Sequence, residues 1–269
     1  MIIDTPTIKQ DLLEEIIASN ATLPKKKRVC FVQFGNDASS TKFIEMKVAL
    51  AKQLHIDADV VKSDVADTVA ALAVLADIIE KEYDGIVVQL PLPKGMDTDL
   101  VIDSIPTEMD IDMIAEDSKA HYRAADTERT APVAAAIQEM FWLHKIILID
   151  KKIVVVGQGR LVGEPVMMLL DRQEVPYAVI DINTPDADKF ALLKEADIII
   201  SGTGAPHSIT ADMIKDGVVL IDAGTSEQSG KLVGDIDPSA YEKAQWYTPV
   251  PGGVGPLTVV CLFRNLFVL

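Results

Sequence analysis

The stretch from Lys151 to Pro165 constrains the fold of this chain more than any other. Lys151-Lys152-Ile153-Val154-Val155-Val156 is an apolar, β-branched run of strand length. Gly157-Gln158-Gly159-Arg160-Leu161-Val162-Gly163 follows it directly, and Pro165 stands where a helix opens. A strand that turns through glycines into a helix is the first half of a parallel βαβ unit. Further strands are expected at Ala178–Asp181, Ala196–Ser201, Val218–Asp222 and Gln245–Thr248, and an apolar helix from about Pro256 to Leu269.

The same alternation occurs earlier in the chain. A helix is expected over 8–19, strands at 28–35, 58–61 and 84–90, a second helix running to about His55 and a third over about 65–82. Asn36-Asp37-Ala38-Ser39-Ser40 supplies the capping chemistry for the second of these helices. Residues 105–131 read as an irregular, charged stretch of a length that is often functional inside a compact domain. A helix from Pro132 to His144 then carries the chain into its second half. The expected fold is therefore α/β with two domains: an N-terminal α/β catalytic domain, residues 1–135 plus 256–269, and a Rossmann-like parallel-sheet domain, residues 136–255.

Composition narrows the function classes. Lys plus Arg is 25 against 41 Asp plus Glu, a formal charge of −16, and the only dense basic run is Lys25-Lys26-Lys27-Arg28. No nucleic-acid partner is expected from that balance. The apolar runs are shorter than a membrane span, and the N-terminus lacks the pattern of a targeting segment, so a soluble cytoplasmic protein is expected. Cys30 and Cys261 each lie in an apolar run, which suits buried thiols in a reducing compartment. His55, His121, His144 and His207 show no metal-ligand spacing, and no metal is expected.

Five constellations carry chemistry. In the glycine turn, a backbone free of side chains admits a pyrophosphate to the N–H groups of the helix start. A tight structural turn would use the same glycines. Asp181, at the end of the next strand, is placed to accept hydrogen bonds from an adenine ribose and to repel a 2′-phosphate; an exposed strand-end Asp is the plainer alternative. Thr203-Gly204 and Gly224 follow the next strands at their carboxyl ends, where open α/β sheets bind ligands.

Second, Gln89 closes a strand and Pro91 and Pro93 stiffen its exit. Third, Ser40, Phe43 and Lys47 share one helix face, where apolar neighbours would lower the pKa of Lys47; on spacing alone the ordinary reading is a solvated lysine. Fourth, Asp110-Ile111-Asp112 sets two carboxylates in the irregular stretch, ordinarily solvated. Fifth, Thr248-Pro249-Val250-Pro251-Gly252-Gly253-Val254-Gly255-Pro256-Leu257-Thr258 is a rigid loop rich in exposed backbone N–H groups, suited to cradle a ligand.

Together and in this order, these pieces resemble the methylenetetrahydrofolate dehydrogenase/methenyltetrahydrofolate cyclohydrolase family, the FolD-type enzymes. Asp84 through Pro93 and Thr248 through Thr258 resemble the family's two signature stretches; Val162-Gly163-Glu164-Pro165 resembles its cofactor turn, and Gly230 through Asp237 also fits. The resemblance implies oxidation of 5,10-methylenetetrahydrofolate with NAD or NADP, followed by hydrolysis of the methenyl product to 10-formyltetrahydrofolate. It also implies a homodimer and a folate cleft between the domains.

The roles it implies are the active-site lysine for Lys47, its hydrogen-bonding partner for Gln89 and the pterin-binding carboxylate for Asp112. Phe43, Pro251, Gly252 and Gly253 would line the folate site. Gly157, Gly159, Arg160, Val162, Gly163, Asp181, Thr203, Gly204 and Thr248 would hold the cofactor, with Thr248 near the nicotinamide. This sequence departs from the family pattern where Phe43 replaces a tyrosine, Gln158-Gly159 replaces Arg-Ser, Met113 replaces a glycine, and Arg129-Thr130-Ala131-Pro132 replaces Pro-Cys-Thr-Pro. Loss of that Arg-Ser, together with Asp181, leans the expectation toward NAD. Two other readings stay open: a two-domain NAD(P)-dependent dehydrogenase with a catalytic lysine and a different substrate, and a paralogue that binds folate or dinucleotide without turnover.

Overall fold

A computed structural model describes residues 1–228 and 230–268. The first half builds a three-stranded parallel sheet on β1 (Arg28–Phe34), six of whose seven residues are buried. β1 pairs on one side with β2 (Asp57–Ser63) and on the other with β3 (Gly85–Val88). The crossovers are helical: α2 (Ala38–Gln53) and α3 (Thr68–Ile79), after an opening helix α1 (Thr5–Ala21). Asp37 caps α2, its carboxylate accepting from the Ser40 N–H at 2.6 Å. Gln33 of β1 reaches the Asp37 carbonyl at 3.1 Å and exchanges hydrogen bonds with Thr41, tying the start of α2 to the sheet.

β3 is shorter than the expected 84–90. The Gln89 N–H still donates to the Val32 carbonyl at 2.8 Å, and the cis Leu90–Pro91 bond then turns the chain away. Glycine at position 85 has a packing reason, since a Cβ there would meet Ile111 at 2.9 Å. The segment carrying Asp110 is thereby drawn against β3, with Ile86 donating to the Met109 carbonyl at 2.8 Å. The stretch expected to be irregular, 105–131, contains a helix, α5 (Glu116–Arg123), and is preceded by α4 (Thr98–Asp103). α5 has acidic residues in its first turn and basic ones in its last, which suits the helix dipole in the absence of a clear apolar stripe. α6 (Pro132–Leu143) follows.

The second half forms a five-stranded parallel sheet in the order β10-β7-β6-β4-β5. Its strands are β4 (Ile153–Val156), β5 (Tyr177–Ile180), β6 (Ile198–Ser201), β7 (Val218–Asp222) and β10 (Ala244–Tyr247). α7 (Gly163–Arg172) joins β4 to β5, and α8 (Asp186–Glu195) joins β5 to β6. β4, β6 and β7 are buried at every position, the mark of strands covered on both faces. The order reverses at β4, which has β5 on one side and β6 on the other, and ligands of open α/β sheets bind at such a switch point. An unexpected antiparallel hairpin, β8 (Ser226–Gln228) with β9 (Lys231–Val233), follows β7. The last helix, α9 (Val254–Arg264), begins two residues before the expected start.

The chain divides into two compact units, Gln10–Pro132 with Val259–Leu269, and Met1–Lys9 with Val133–Thr258. Residues 1–9 thus cluster apart from the rest of the expected 1–135 domain, because they extend the second sheet. The N-terminal ammonium donates to the Gln245 carbonyl at 2.7 Å, and Ile3 N–H to the Tyr247 carbonyl at 2.9 Å. No helix among the described residues is long and apolar enough to cross a membrane.

Candidate functional site

α2 and the end of β3 bring Lys47 and Gln89 together. The Lys47 Nζ donates to Gln89 Oε1 at 3.0 Å, while Gln89 Nε2 donates to the Leu90 carbonyl at 2.7 Å. That second bond fixes the amide, so its oxygen faces the lysine. The Phe31 ring of β1 lies 6.0 Å from the Lys47 nitrogen. Burial lowers the pKa of Lys47, and the charge of Asp112 opposes that shift. Asp112 moves the other way: burial raises its pKa, Lys47 counters, and Asp110 adds to the rise. Both residues keep some exposed surface. They are a coupled acid–base pair, each close enough to feel the other's charge, and burial favours the neutral form of both.

The two carboxylates of the 110–112 segment have separate tasks. Asp110 is fully buried, and its oxygens accept from the N–H groups of Met113 at 3.0 Å, Ile114 at 3.0 Å and Ala115 at 2.9 Å. It therefore anchors the loop and leaves Asp112 for chemistry. Asn265, just past α9, is 2% exposed and clamps the same loop, its Nδ2 donating to the carbonyls of Ile111 at 2.9 Å and Thr130 at 2.8 Å. Arg129 donates to the carbonyls of Thr107, Glu108 and Val268. Asp110, Asn265, Arg129 and Phe31 were not singled out as anchors of the site. Only the apolar context of Phe31 and the pairing of Asp110 with Asp112 gave any local signal. Phe43 lies one turn before Lys47 on α2 and is 38% exposed. Met113 takes φ +58, a conformation that favours the glycine it replaces.

In the other unit the glycine turn fits a dinucleotide pyrophosphate. Gly157 has φ +93, and a Cβ at Gly163 would lie 1.9 Å from the Gly157 carbonyl oxygen. A Cβ at Gly159 would meet no atom of the chain within 4 Å, so the chain's own packing does not explain that glycine. α7 starts at Gly163 without a side-chain cap; the Glu164 N–H donates to the Gly159 carbonyl at 3.1 Å and Pro165 has no N–H, so the turn itself closes part of the helix start. Asp181, at the end of β5, accepts from Gln158 Nε2 of the turn at 2.8 Å, and from Asn183 N–H at 2.8 Å. The Asn183 bond, first among several, holds the Asp181 carboxyl below its usual pKa. Arg160 and Val162 lie within the turn, and Thr203 and the positive-φ Gly204 form an exposed loop after β6.

In the loop after β10, Pro251 follows a cis bond and is exposed, as is Gly252 with φ +105. Gly253 is buried, where a Cβ would meet the Pro249 carbonyl at 2.6 Å. Thr248 is also buried. Its Oγ1 accepts from the Asp222 N–H at 2.7 Å, so the hydroxyl braces β7 and is not presented to solvent. Among the described residues no group of His, Cys, Asp or Glu side chains could hold a metal ion.

Comparison with known proteins matches the two halves of the chain in turn. Residues 3–112 match the model of the tetrahydrofolate dehydrogenase/cyclohydrolase catalytic domain, and residues 131–269 that of the same family's NAD(P)-binding domain. The bifunctional protein FolD of Mycoplasmopsis synoviae (strain 53) is 37% identical over 265 residues, covering 96% of this chain and 93% of its own. The crystal structure of the bifunctional methylenetetrahydrofolate dehydrogenase/cyclohydrolase FolD from Campylobacter jejuni is similar with a TM-score of 0.93 at 26% identity, covering 99% of this chain and 97% of that one. The Trypanosoma brucei enzyme, complexed with NADP cofactor and inhibitor, is similar with a TM-score of 0.87 at 27% identity, covering 97% and 93%. The chain belongs to the tetrahydrofolate dehydrogenase/cyclohydrolase family.

Proposed function

We propose that this chain oxidises 5,10-methylenetetrahydrofolate with a nicotinamide dinucleotide and hydrolyses the methenyl product to 10-formyltetrahydrofolate. The observation that carries the reading is the Lys47–Gln89 bond of 3.0 Å beside Asp112, in a chain of this family. A dinucleotide bound at the glycine turn would supply the acceptor for the hydride of the methylene carbon. The chain's own groups supply position and proton transfer. With its pKa depressed by burial, Lys47 has a larger neutral fraction near pH 7 than a solvated lysine and acts as base toward water attacking the methenyl carbon. Gln89 aims the lysine nitrogen. Asp112 accepts hydrogen bonds from the pterin ring, and Phe43 offers a ring to the aminobenzoyl group. Pro251, Gly252 and Gly253 line the folate side from their loop.

We assign NAD as the preferred cofactor. The support is the ionised Asp181 carboxylate, bridged to Gln158, where a 2′-phosphate would meet a like charge. Gly157, Gly159, Arg160, Val162 and Gly163 would surround the pyrophosphate, with Thr203 and Gly204 beside them and Thr248 bracing the loop near the nicotinamide. A cytoplasmic homodimer completes the reading; the two buried thiols suit a reducing compartment.

The test follows reduced nicotinamide with 5,10-methylenetetrahydrofolate and either NAD⁺ or NADP⁺, and separately the loss of methenyl absorbance. Faster reduction with NAD⁺, together with methenyl hydrolysis, is the expected result. No reduction with either cofactor overturns the dehydrogenase; faster reduction with NADP⁺ keeps the dehydrogenase and overturns the role of Asp181.

A further inference from the structure

Two carboxylates lie inside the dinucleotide-binding unit without a part in the scheme above. Asp222 is 1% exposed and Asp235 0%. Burying a carboxylate is costly unless its oxygens are well partnered. One oxygen of Asp235 accepts from the Ser201 hydroxyl at 2.7 Å and from the Thr203 N–H at 2.6 Å. Its other oxygen is buried without a hydrogen-bond partner. That oxygen fits only because residue 224 is glycine, whose Cβ would lie 2.2 Å from it.

The loop that Asp235 grips is exposed from Thr203 to Pro206, so a buried side chain holds the base of a surface loop. That base presses on the glycine turn. A Cβ at Gly202 would meet the Val162 side chain at 2.2 Å, and a Cβ at Gly157 would meet Thr203 Cγ2 at 3.0 Å and the Gly202 carbonyl oxygen at 3.1 Å. The two segments are closely packed, glycine backbone of each against the Val162 and Thr203 side chains of the other.

We propose that Asp235 is a positioning residue for the dinucleotide: through the Thr203 N–H it holds residues 202–204 against the turn 157–163 and so sets the shape of the surface that receives the pyrophosphate. The inference rests on the reading of that turn as the dinucleotide site. Asp235 is fully buried, so its effect passes through the loop. The effect belongs to the pyrophosphate end, so NAD⁺ and ADP-ribose, which lacks the nicotinamide, should respond alike.

The experiment measures dissociation constants of NAD⁺ and ADP-ribose by titration calorimetry for the wild type, Asp235→Ala and Asp235→Asn. Methenyl hydrolysis, which consumes no dinucleotide, is measured alongside. Asp235→Ala should weaken both ligands at least about tenfold, the scale of a misplaced binding surface, with hydrolysis within about twofold of wild type. Asp235→Asn keeps a carbonyl oxygen for Ser201 and Thr203 and should recover most of the affinity, which a purely structural loss would not do selectively for dinucleotides. Unchanged affinity in Asp235→Ala overturns the proposal. Wild-type protein that binds neither ligand overturns the underlying reading and this proposal with it. Should Asp235→Ala not fold, amide exchange of the wild type decides. A Thr203 amide protected well beyond that of Gly204 supports the grip, and equal exchange at the two overturns it.

Discussion

At the scale of single residues, environment sorts side chains of the same type into different tasks. Asp110 and Asp112 are two positions apart, yet three backbone N–H groups hold the first while burial raises the pKa of the second against the opposing charge of Lys47. Phe43 keeps a ring one turn before Lys47 but carries no hydroxyl. Phe43→Tyr is expected to raise the rate of methenyl hydrolysis by more than it raises hydride transfer, measured as the two rates on the same preparation; an unchanged hydrolysis rate would count against a role for that hydroxyl. Asp222 gives a prediction about stability. Burial, with Asp235 nearby as a lesser cause, pushes its pKa up from 3.8 to about 6. Between those values the folded chain holds a proton that the unfolded chain has released. Stability from this group is therefore present below about pH 4 and lost as pH rises to about 6, a change of about 3 kcal/mol. Urea unfolding at pH 4, 5 and 6 should show a shallower fall for Asp222→Asn than for the wild type. Parallel slopes would mean that Asp222 titrates normally.

At the scale of elements, several loops between strand ends and helices have tightly fitted backbones. A methyl group at Gly163 has no room beside the Gly157 carbonyl oxygen. Gly163→Ala should weaken NAD⁺ binding by more than about tenfold while methenyl hydrolysis continues; equal loss of both would point to general unfolding. In the 110–115 loop two effects compete at Met113, which is 3% exposed and has positive φ. Left-handed backbone costs roughly 1–2 kcal/mol, whereas truncating a buried methionine costs about 2–5 kcal/mol, so packing wins. Met113→Gly should lower the urea midpoint, and a higher midpoint would show that backbone conformation dominates. The elements most legible in the sequence are β4, β6 and β7, because strands buried on both faces are continuous apolar runs. α5 was hidden because its residues are mostly polar, and the β8–β9 hairpin because its strands are three residues each. The glycine turn was legible because its tight backbone needs glycine, at positive φ in Gly157 and against the Gly157 carbonyl in Gly163. The clamp by Asn265 was not, since a lone Asn after an apolar run acquires meaning only from carbonyls far away in sequence. Lys47 and Gln89 were legible through family resemblance; their spacing alone suited a solvated lysine and a strand-end glutamine.

At the scale of the whole molecule, the chain divides its labour between two compact units, with the Lys47 constellation in one and the glycine turn in the other. α9 starts in the unit of the glycine turn and ends in that of Lys47, and Asn265 just beyond it clamps the Asp112 loop. The segment just past its end therefore braces the loop of Asp112 even though the helix opens from the loop after β10. The central claim is that Lys47, with its pKa lowered by burial and its nitrogen aimed by Gln89, carries the proton chemistry of hydrolysis. The most direct measurement is methenyl hydrolysis by Lys47→Met, which removes the ammonium and keeps an unbranched apolar chain, with NAD⁺ affinity taken on the same protein. The account predicts hydrolysis reduced by about 10²-fold or more, the usual contribution of a positioned acid–base group, with NAD⁺ affinity within about twofold of wild type. Hydrolysis at the wild-type rate in a folded, NAD⁺-binding Lys47→Met variant would contradict it.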